Sequence, residues 1–311
     1  MLLLSRADVE AVLDAEELID ALADAFRDLS AGSASMPQRT AAFAPGGFLG
    51  VMPAYLPSAN ALTVKLVSLF EVNAGTELPT HQAAIGVFSP ERGNLLALMD
   101  GTWITAARTA AGSALATRLL ARDDARVLTI LGTGVQARSH AWALPRVRSF
   151  DEVRVAGRDR AKAEAFAAEL GGRAFGSYAE AVAGADVVCA TTHSPEPVVR
   201  RDWLMDGAHV NSVGMHPDGR EIAEDVVADA VVVVESRGSA VAGFPAGSNE
   251  LAGADAESLV ELGEVVAGAS RPEPDALTLY KSVGVAVMDA AAAALALRKA
   301  KERGIGREVE L

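Results

Sequence analysis

The sequence predicts an α/β protein: a doubly wound parallel sheet preceded by an α+β domain and closed by a C-terminal helix. Three observations predict it. Short apolar runs alternate with helical stretches after Asp124, a glycine-spaced turn joins the first such strand to its helix, and β-branched runs follow one another directly before Asp100. The N-terminal part opens with a helix. Asp14 is placed as an N-cap ahead of Glu16 and Glu17, and Leu18, Ile19, Leu22, Ala23 and Phe26 recur at helical spacing up to Ala31-Gly32. Strands are predicted over Phe48 to Leu56, Leu62 to Phe70 and Ala84 to Ser89. The turn Pro90-Glu91-Arg92-Gly93-Asn94 then leads into Leu95 to Met99. Strands joined by turns imply a mostly antiparallel sheet, and a small-residue helix follows from Thr102 to Arg122.

The pattern changes at Asp123-Asp124. Arg126 to Leu131 reads as a buried strand, and a helix runs to about Val147. Val153 to Ala156 is the next strand, and Ala161 to Leu170 a helix ending at Gly171-Gly172. Ser177 and Glu180 have the spacing of a capping box opening a third helix. Asp186 to Thr192, His209 to Val213 and Ala230 to Glu235 complete the strands, and Ala286 to Ala300 is a helix. No Pro-, Gly- or Ser-rich linker separates the halves. The pattern places one domain at residues 1–120, with 286–311 packing back on it, and the doubly wound domain at 121–285.

The 311 residues carry 28 Lys plus Arg against 41 Asp plus Glu, a net charge of -13. A field of that sign argues against nucleic-acid backbones and anionic membrane surfaces as partners. The single cysteine, Cys189, excludes an internal disulfide and a cysteine-rich zinc site, so no metal is expected. No apolar run has the length of a membrane-spanning helix, and Arg6, Asp8 and Glu10 follow the leucines at the start too closely for a signal peptide. A cytoplasmic protein is the expectation.

Gly132-Thr133-Gly134-Val135-Gln136-Ala137 lies between a strand and a helix, where such spacing has meaning as a Rossmann-type dinucleotide loop. Gly132 permits the tight turn, Gly134 lets backbone approach a pyrophosphate, and Ala137 keeps helix and strand close. The helix N-terminus offers free N–H groups to the phosphates. The second strand ends in Gly157-Arg158-Asp159-Arg160. An acid there would hold the ribose 2′-hydroxyl of NAD and an arginine the 2′-phosphate of NADP. With the acid displaced, the reading leans to NADPH through Arg158, while an inward Asp159 would serve NAD. Thr191 and Thr192, at the end of the fourth strand, are placed on the cofactor.

Five stretches, in order, resemble the ornithine cyclodeaminase/μ-crystallin family. They are Leu62-Thr-Val-Lys65-Leu-Val, Thr102-Trp-Ile-Thr-Ala-Ala-Arg108-Thr-Ala-Ala, Ile130-Leu-Gly-Thr-Gly-Val-Gln-Ala137, Val210-Asn-Ser-Val-Gly214 and Lys281-Ser-Val-Gly284. The resemblance runs nearly end to end. It implies N-terminal domains paired in a homodimer and a substrate held between that domain and the nicotinamide. The common reaction step is hydride transfer between NAD(P)H and the carbon of a C=N bond beside a carboxylate. The resemblance makes Arg39, Lys65 and Arg108 the carboxylate-binding cations, with Lys65 catalytic, and puts Val213 and Gly214 on the cofactor. A lysine inside the apolar strand run is notable by itself, since on a buried face it needs an anionic partner and its pKa can fall.

Two departures matter. His216 stands near the position of the cyclodeaminases' catalytic Asp, and Lys281 stands where the ornithine enzymes carry an acid. Both changes remove negative charge and fit a substrate without a second ammonium. His81 and His216 are candidate pocket residues, whereas His140, His209 and Cys189 read as structural. The expected activity is reduction of a small α-imino acid to an amino acid, or the reverse dehydrogenation. The alternatives are an ornithine- or lysine-type cyclodeaminase with recycled NAD, and a μ-crystallin-like NADP-dependent ligand-binding protein.

Overall fold

The chain begins with β1 (Leu2–Leu4), α1 (Arg6–Val12) and α2 (Ala15–Ser30), then β2 (Thr40–Ala44), β3 (Gly47–Leu56), β4 (Ala61–Phe70), β5 (His81–Phe88), β6 (Leu95–Asp100) and α3 (Gly101–Leu120). This computed structural model describes residues 1–269, 272, 273 and 275–310. Ser5 and Asp8 form a capping box at α1, and the Asp14 carboxylate accepts from the N–H groups of Glu16 and Glu17 at α2. β2 through β6 are antiparallel neighbours, as the turns predict, and β1 adds in parallel beside β6. Along β4 the side chains of Ala61, Thr63, Lys65 and Val67 are buried while Leu66 is exposed, so the pleat puts Lys65 on the covered face. Gly101 is needed where α3 starts, because a Cβ there would lie 2.9 Å from the Ala83 Cβ.

The next elements are β7 (Val127–Leu131), α4 (Val135–Ala143), β8 (Glu152–Ala156), α5 (Arg160–Glu169), β9 (Arg173–Ala174), α6 (Tyr178–Val182), β10 (Val187–Ala190) and β11 (His209–Ser212). They continue through α7 (Glu224–Asp229), β12 (Val231–Val234), α8 (Arg237–Ala240), β13 (Val260–Glu261), α9 (Leu262–Val266) and β14 (Thr278–Lys281). The eight strands form one parallel sheet in the order β13-β12-β14-β11-β10-β7-β8-β9. The chain order reverses between β7 and β10, and the crevice beyond the C-terminal ends of those strands is where such sheets take ligands. β10, β11 and β14 are buried at every residue, the mark of strands covered on both faces.

Two elements close the chain, α10 (Ala286–Arg303) and β15 (Arg307–Glu308). β15 pairs with β1 and completes a mixed sheet in the order β15-β1-β6-β5-β4-β3-β2. α10 packs on α2 and across β3, β4 and β5, with its alanines allowing close approach, and ends at Gly304 in the left-handed conformation. The opposite face of that sheet is apolar. Leu66 is flanked in register by Val51 and Ala84, and Leu98 by Leu3 and Gly86.

By its contacts the chain divides into one unit of residues 1–108 with 284–311, and another of residues 109–283. The division falls inside α3, whereas the sequence pattern puts a boundary at its C-terminal end. The reason lies in what each half of the helix holds. Arg108 bonds to α10, while Ser113 and Thr117 bond His140 and Asn211 of the second unit. Among the described residues no helix is long and apolar enough to cross a membrane.

Candidate active site

In the first unit, three of the predicted cations come together around the start of α10. Lys65 Nζ lies 2.8 Å from Asp289 Oδ2 and 3.0 Å from Oδ1, and Arg108 Nε lies 3.2 Å from the same Oδ1. Lys65, Arg108 and Asp289 are all buried. Arg39 Nη2 donates to the Gly284 carbonyl at 2.8 Å. The Arg108 guanidinium occupies the space over Gly284, where a Cβ would come 2.8 Å from both terminal nitrogens, and Gly284 has a positive φ of 75°. Glycine is therefore required twice over at that position.

Burial lowers the Lys65 pKa from 10.5 to about 7; Asp289 opposes the shift, and Arg108 and Arg39 add to it. Burial alone would raise the Asp289 pKa, but Lys65, Arg108 and Arg39 together hold it below the usual carboxylate range. His81 shares the Lys65 face of the sheet through the pairing of Leu69 with His81 and of Lys65 with Ile85. Burial, then the charges of Lys65 and Arg108, push its pKa down to about 4, so the ring is neutral near pH 7. A buried group of cations in which two share one carboxylate has the capacity to bind an anion, and a planar carboxylate matches an Arg fork.

In the second unit the glycine loop leaves β7 at its C-terminal end. Gly132 has φ 113°, and a Cβ there would come 2.8 Å from Thr191 Oγ1, so the loop lies directly against the end of β10. Gly134 is the N-cap of α4, provides no side-chain cap, and has nothing within 4 Å of a would-be Cβ. The first N–H groups of α4, from Val135 and Gln136 onward, thus face open space above a bare helix end. Gln136 Oε1 is buried with no hydrogen-bond partner among the described residues. A Cβ on Gly157, at the end of β8, would meet Thr133 at 3.2 Å. These features fit a dinucleotide. Ala137 is buried under the loop. Arg158 is exposed at the end of β8, while Asp159 caps α5, accepting from the Lys162 N–H at 3.1 Å.

Thr191 and Thr192 directly follow β10, and Val213 and Gly214 directly follow β11. Thr191 Oγ1 donates to the Leu131 carbonyl at 2.7 Å, which ties the two central strand ends together. Glu221, which the sequence reading does not single out, organises the rest. Its carboxylate accepts from Thr192 Oγ1 (2.7 Å), Ser212 Oγ (3.0 Å) and the Gly214 N–H (2.8 Å). Gly214 is needed because a Cβ there would lie 2.2 Å from the Thr192 carbonyl oxygen. Lys281 is fully buried, 3.2 Å from Glu250 Oε1, and donates to Ser212 Oγ and the Gly214 carbonyl. Its charge is therefore matched inside the unit, and Glu221 and Glu250 supply acids beside it.

His216 belongs to the second unit, and its ring lies 4.7 Å from that of the exposed His193. His140 and His209 are buried and hydrogen-bonded at both ring nitrogens, with pKa values lowered to about 4 by burial. Cys189 is buried in β10, where burial pushes its thiol up to about 12. The residue that sequence reasoning missed in the first unit is Asp289. Its signal was present, since a single acid inside the apolar run Val285 to Leu297 requires a buried cation.

The fold and these residues define a class first: a dinucleotide-type α/β sheet carried in one chain with a buried cationic cluster suited to a small carboxylate. The chain belongs to the ornithine cyclodeaminase/mu-crystallin family, whose model matches residues 1–304. It is 46% identical over 252 residues to the ketimine reductase mu-crystallin of Mus musculus, covering 80% of this chain and 79% of that one. The solved Delta(1)-pyrroline-2-carboxylate reductase of Thermococcus litoralis, in complex with NADH and L-proline, is 38% identical. It aligns with a TM-score of 0.92 over 99% of this chain and 100% of its own. An archaeal alanine dehydrogenase dimer with bound NAD is 30% identical, with a TM-score of 0.92 over 100% of this chain and 99% of that one.

Proposed function

We propose that the protein is an NAD(P)H-dependent oxidoreductase that reduces the C=N bond of a small α-imino carboxylic acid to an amino acid, or runs the reverse dehydrogenation. The observation that carries the reading is the Lys65–Asp289–Arg108 cluster, a buried cationic receptor in a chain that also carries the Gly132–Gly134 loop. The named relatives, two of them imine reductases and one an amino-acid dehydrogenase, support the same chemistry. Lys65 and Arg108, with Arg39, bind the substrate carboxylate. Their positive potential beside the imine favours electron flow from its carbon toward its nitrogen. Lys65, with a pKa near neutrality, is the group suited to give the nitrogen a proton, while His81 lines the receptor as a neutral ring.

Gly132, Thr133, Gly134, Val135 and Gln136 hold the pyrophosphate, and Thr191, Thr192, Val213 and Gly214 line the cofactor's path. The dinucleotide, when bound, supplies or accepts the hydride. Arg158 is the residue for a 2′-phosphate, since Asp159 is engaged as a helix cap, and this favours NADPH over NADH. His216 lines the substrate end of the second unit. The exposed apolar face around Leu49 and Leu66 supports a homodimer through the first unit. A screen of cyclic and linear ketimine acids with NADH and NADPH in parallel tests the reading. The expected result is stoichiometric nicotinamide oxidation with amino-acid formation, faster with NADPH. Ammonia release without net change in the nicotinamide would contradict it.

A further inference from the structure

We propose that Asp289 is a positioning residue that makes Lys65 and Arg108 a single carboxylate receptor, and that this receptor takes up a proton as the carboxylate binds. The inference rests on the imine-reductase reading and deepens it. Asp289 is reached by both cations, Lys65 through both carboxylate oxygens and Arg108 through Oδ1. It arrives on α10, whereas Lys65 is on β4 and Arg108 on α3, so one acid pins the cationic ends of two other elements. Gly284, two residues before that helix, holds the other side: its carbonyl accepts from Arg39, and its missing side chain makes room for the Arg108 guanidinium. Removing Asp289 would free both cations from a common anchor.

The proton follows from the charges. Among the described residues, the groups facing Lys65 are Asp289 from α10, Arg108 and Thr105 from α3, Arg39 from the segment before β2, and His81 from β5. Two cations share one carboxylate, and Arg39 adds to the positive potential. In the free protein burial sets the Lys65 pKa at about 7, with Asp289 opposing the shift and Arg108 and Arg39 adding to it. A bound carboxylate adds a second negative charge beside Lys65 and Arg108. An opposite charge at contact distance raises a lysine pKa by one or more units. Above pH 7, then, the free receptor holds Lys65 largely as the neutral amine and the occupied receptor holds it as the ammonium. The proton comes from solvent, no bond to carbon changes, and the site becomes charged as it fills. His81, with its pKa near 4, stays neutral throughout and adds no proton.

The test uses the enzyme with NADPH bound and L-proline as the carboxylate probe, titrated calorimetrically at about pH 8 in buffers of different ionisation enthalpy. The expected result is uptake of roughly half a proton or more per proline bound, with affinity falling as pH rises above neutrality. The companion measurement is the pH profile of kcat/KM for a ketimine acid. Asp289→Asn is expected to move its alkaline limb down by about one unit, because Lys65 loses a neighbour that favours its charged form. A purely structural role would lower the whole profile without moving the limb. Heat independent of buffer in the wild-type protein, or an unmoved limb in Asp289→Asn, overturns the inference and leaves the reductase reading intact. Failure of every carboxylate to bind would remove both.

Discussion

Each unit of the molecule buries an ionic cluster, and the two differ in how completely their charges are spent. In the second unit Glu221 accepts from two hydroxyls and two backbone N–H groups, and Lys281 is matched by Glu250, a serine hydroxyl and a carbonyl. That cluster is a joint. It fixes the ends of β10, β11 and β14, and Gly214 lets the chain pass through it. In the first unit Lys65 and Arg108 share Asp289, and burial and neighbouring cations leave Lys65 easily deprotonated. A buried cluster that is internally matched serves the fold; one left short of a charge is ready for a ligand. This difference separates Lys65 from Lys281, two lysines that are both buried.

Lys65→Met is the most severe way to test that contrast. It removes a cation from the receptor but leaves Asp289 paired to Arg108, so stability should change little. kcat/KM for an imino acid should fall by about a thousandfold, the scale of losing one preorganised electrostatic group. NADPH binding, followed by fluorescence, should be unchanged. Lys281→Met should do the reverse in kind. It leaves Glu250 buried without its ammonium, and the unfolding free energy should drop by about 3 kcal/mol in denaturant titrations. A Lys65 variant that unfolds more easily than the Lys281 variant would erase the distinction between receptor and joint. Arg158→Gln should give the smallest effect. Arg158 is exposed and holds only the 2′-phosphate in the proposed complex, so selectivity for NADPH over NADH should fall by about tenfold, with NADH kinetics nearly constant.

What the sequence made legible was local. The glycine loop lies within six consecutive residues between a strand and a helix, and the structure places those elements as the pattern predicts. Lys65 stood out because a charge interrupts a β-branched run. The rest depends on residues far apart in the chain. Asp289 meets Lys65 across 224 positions, and an alanine-rich helix reads as packing until the sheet beneath it is known. Glu221, Glu250 and Lys281 look like ordinary surface charges in sequence, and only the convergence of strand ends brings them inside. β1 was hidden for a related reason. Three leucines become a strand only by pairing with β6 and with β15 at the opposite end of the chain.

The central claim is that the incomplete cluster of the first unit recognises a carboxylate for imine reduction. The most direct measurement compares turnover of Δ1-pyrroline-2-carboxylate with that of Δ1-pyrroline, the same ring without the carboxylate, at equal NADPH. The account predicts that kcat/KM falls by about a hundredfold or more when the carboxylate is absent, since two charge-assisted contacts are lost. Equal rates for the two imines would contradict it.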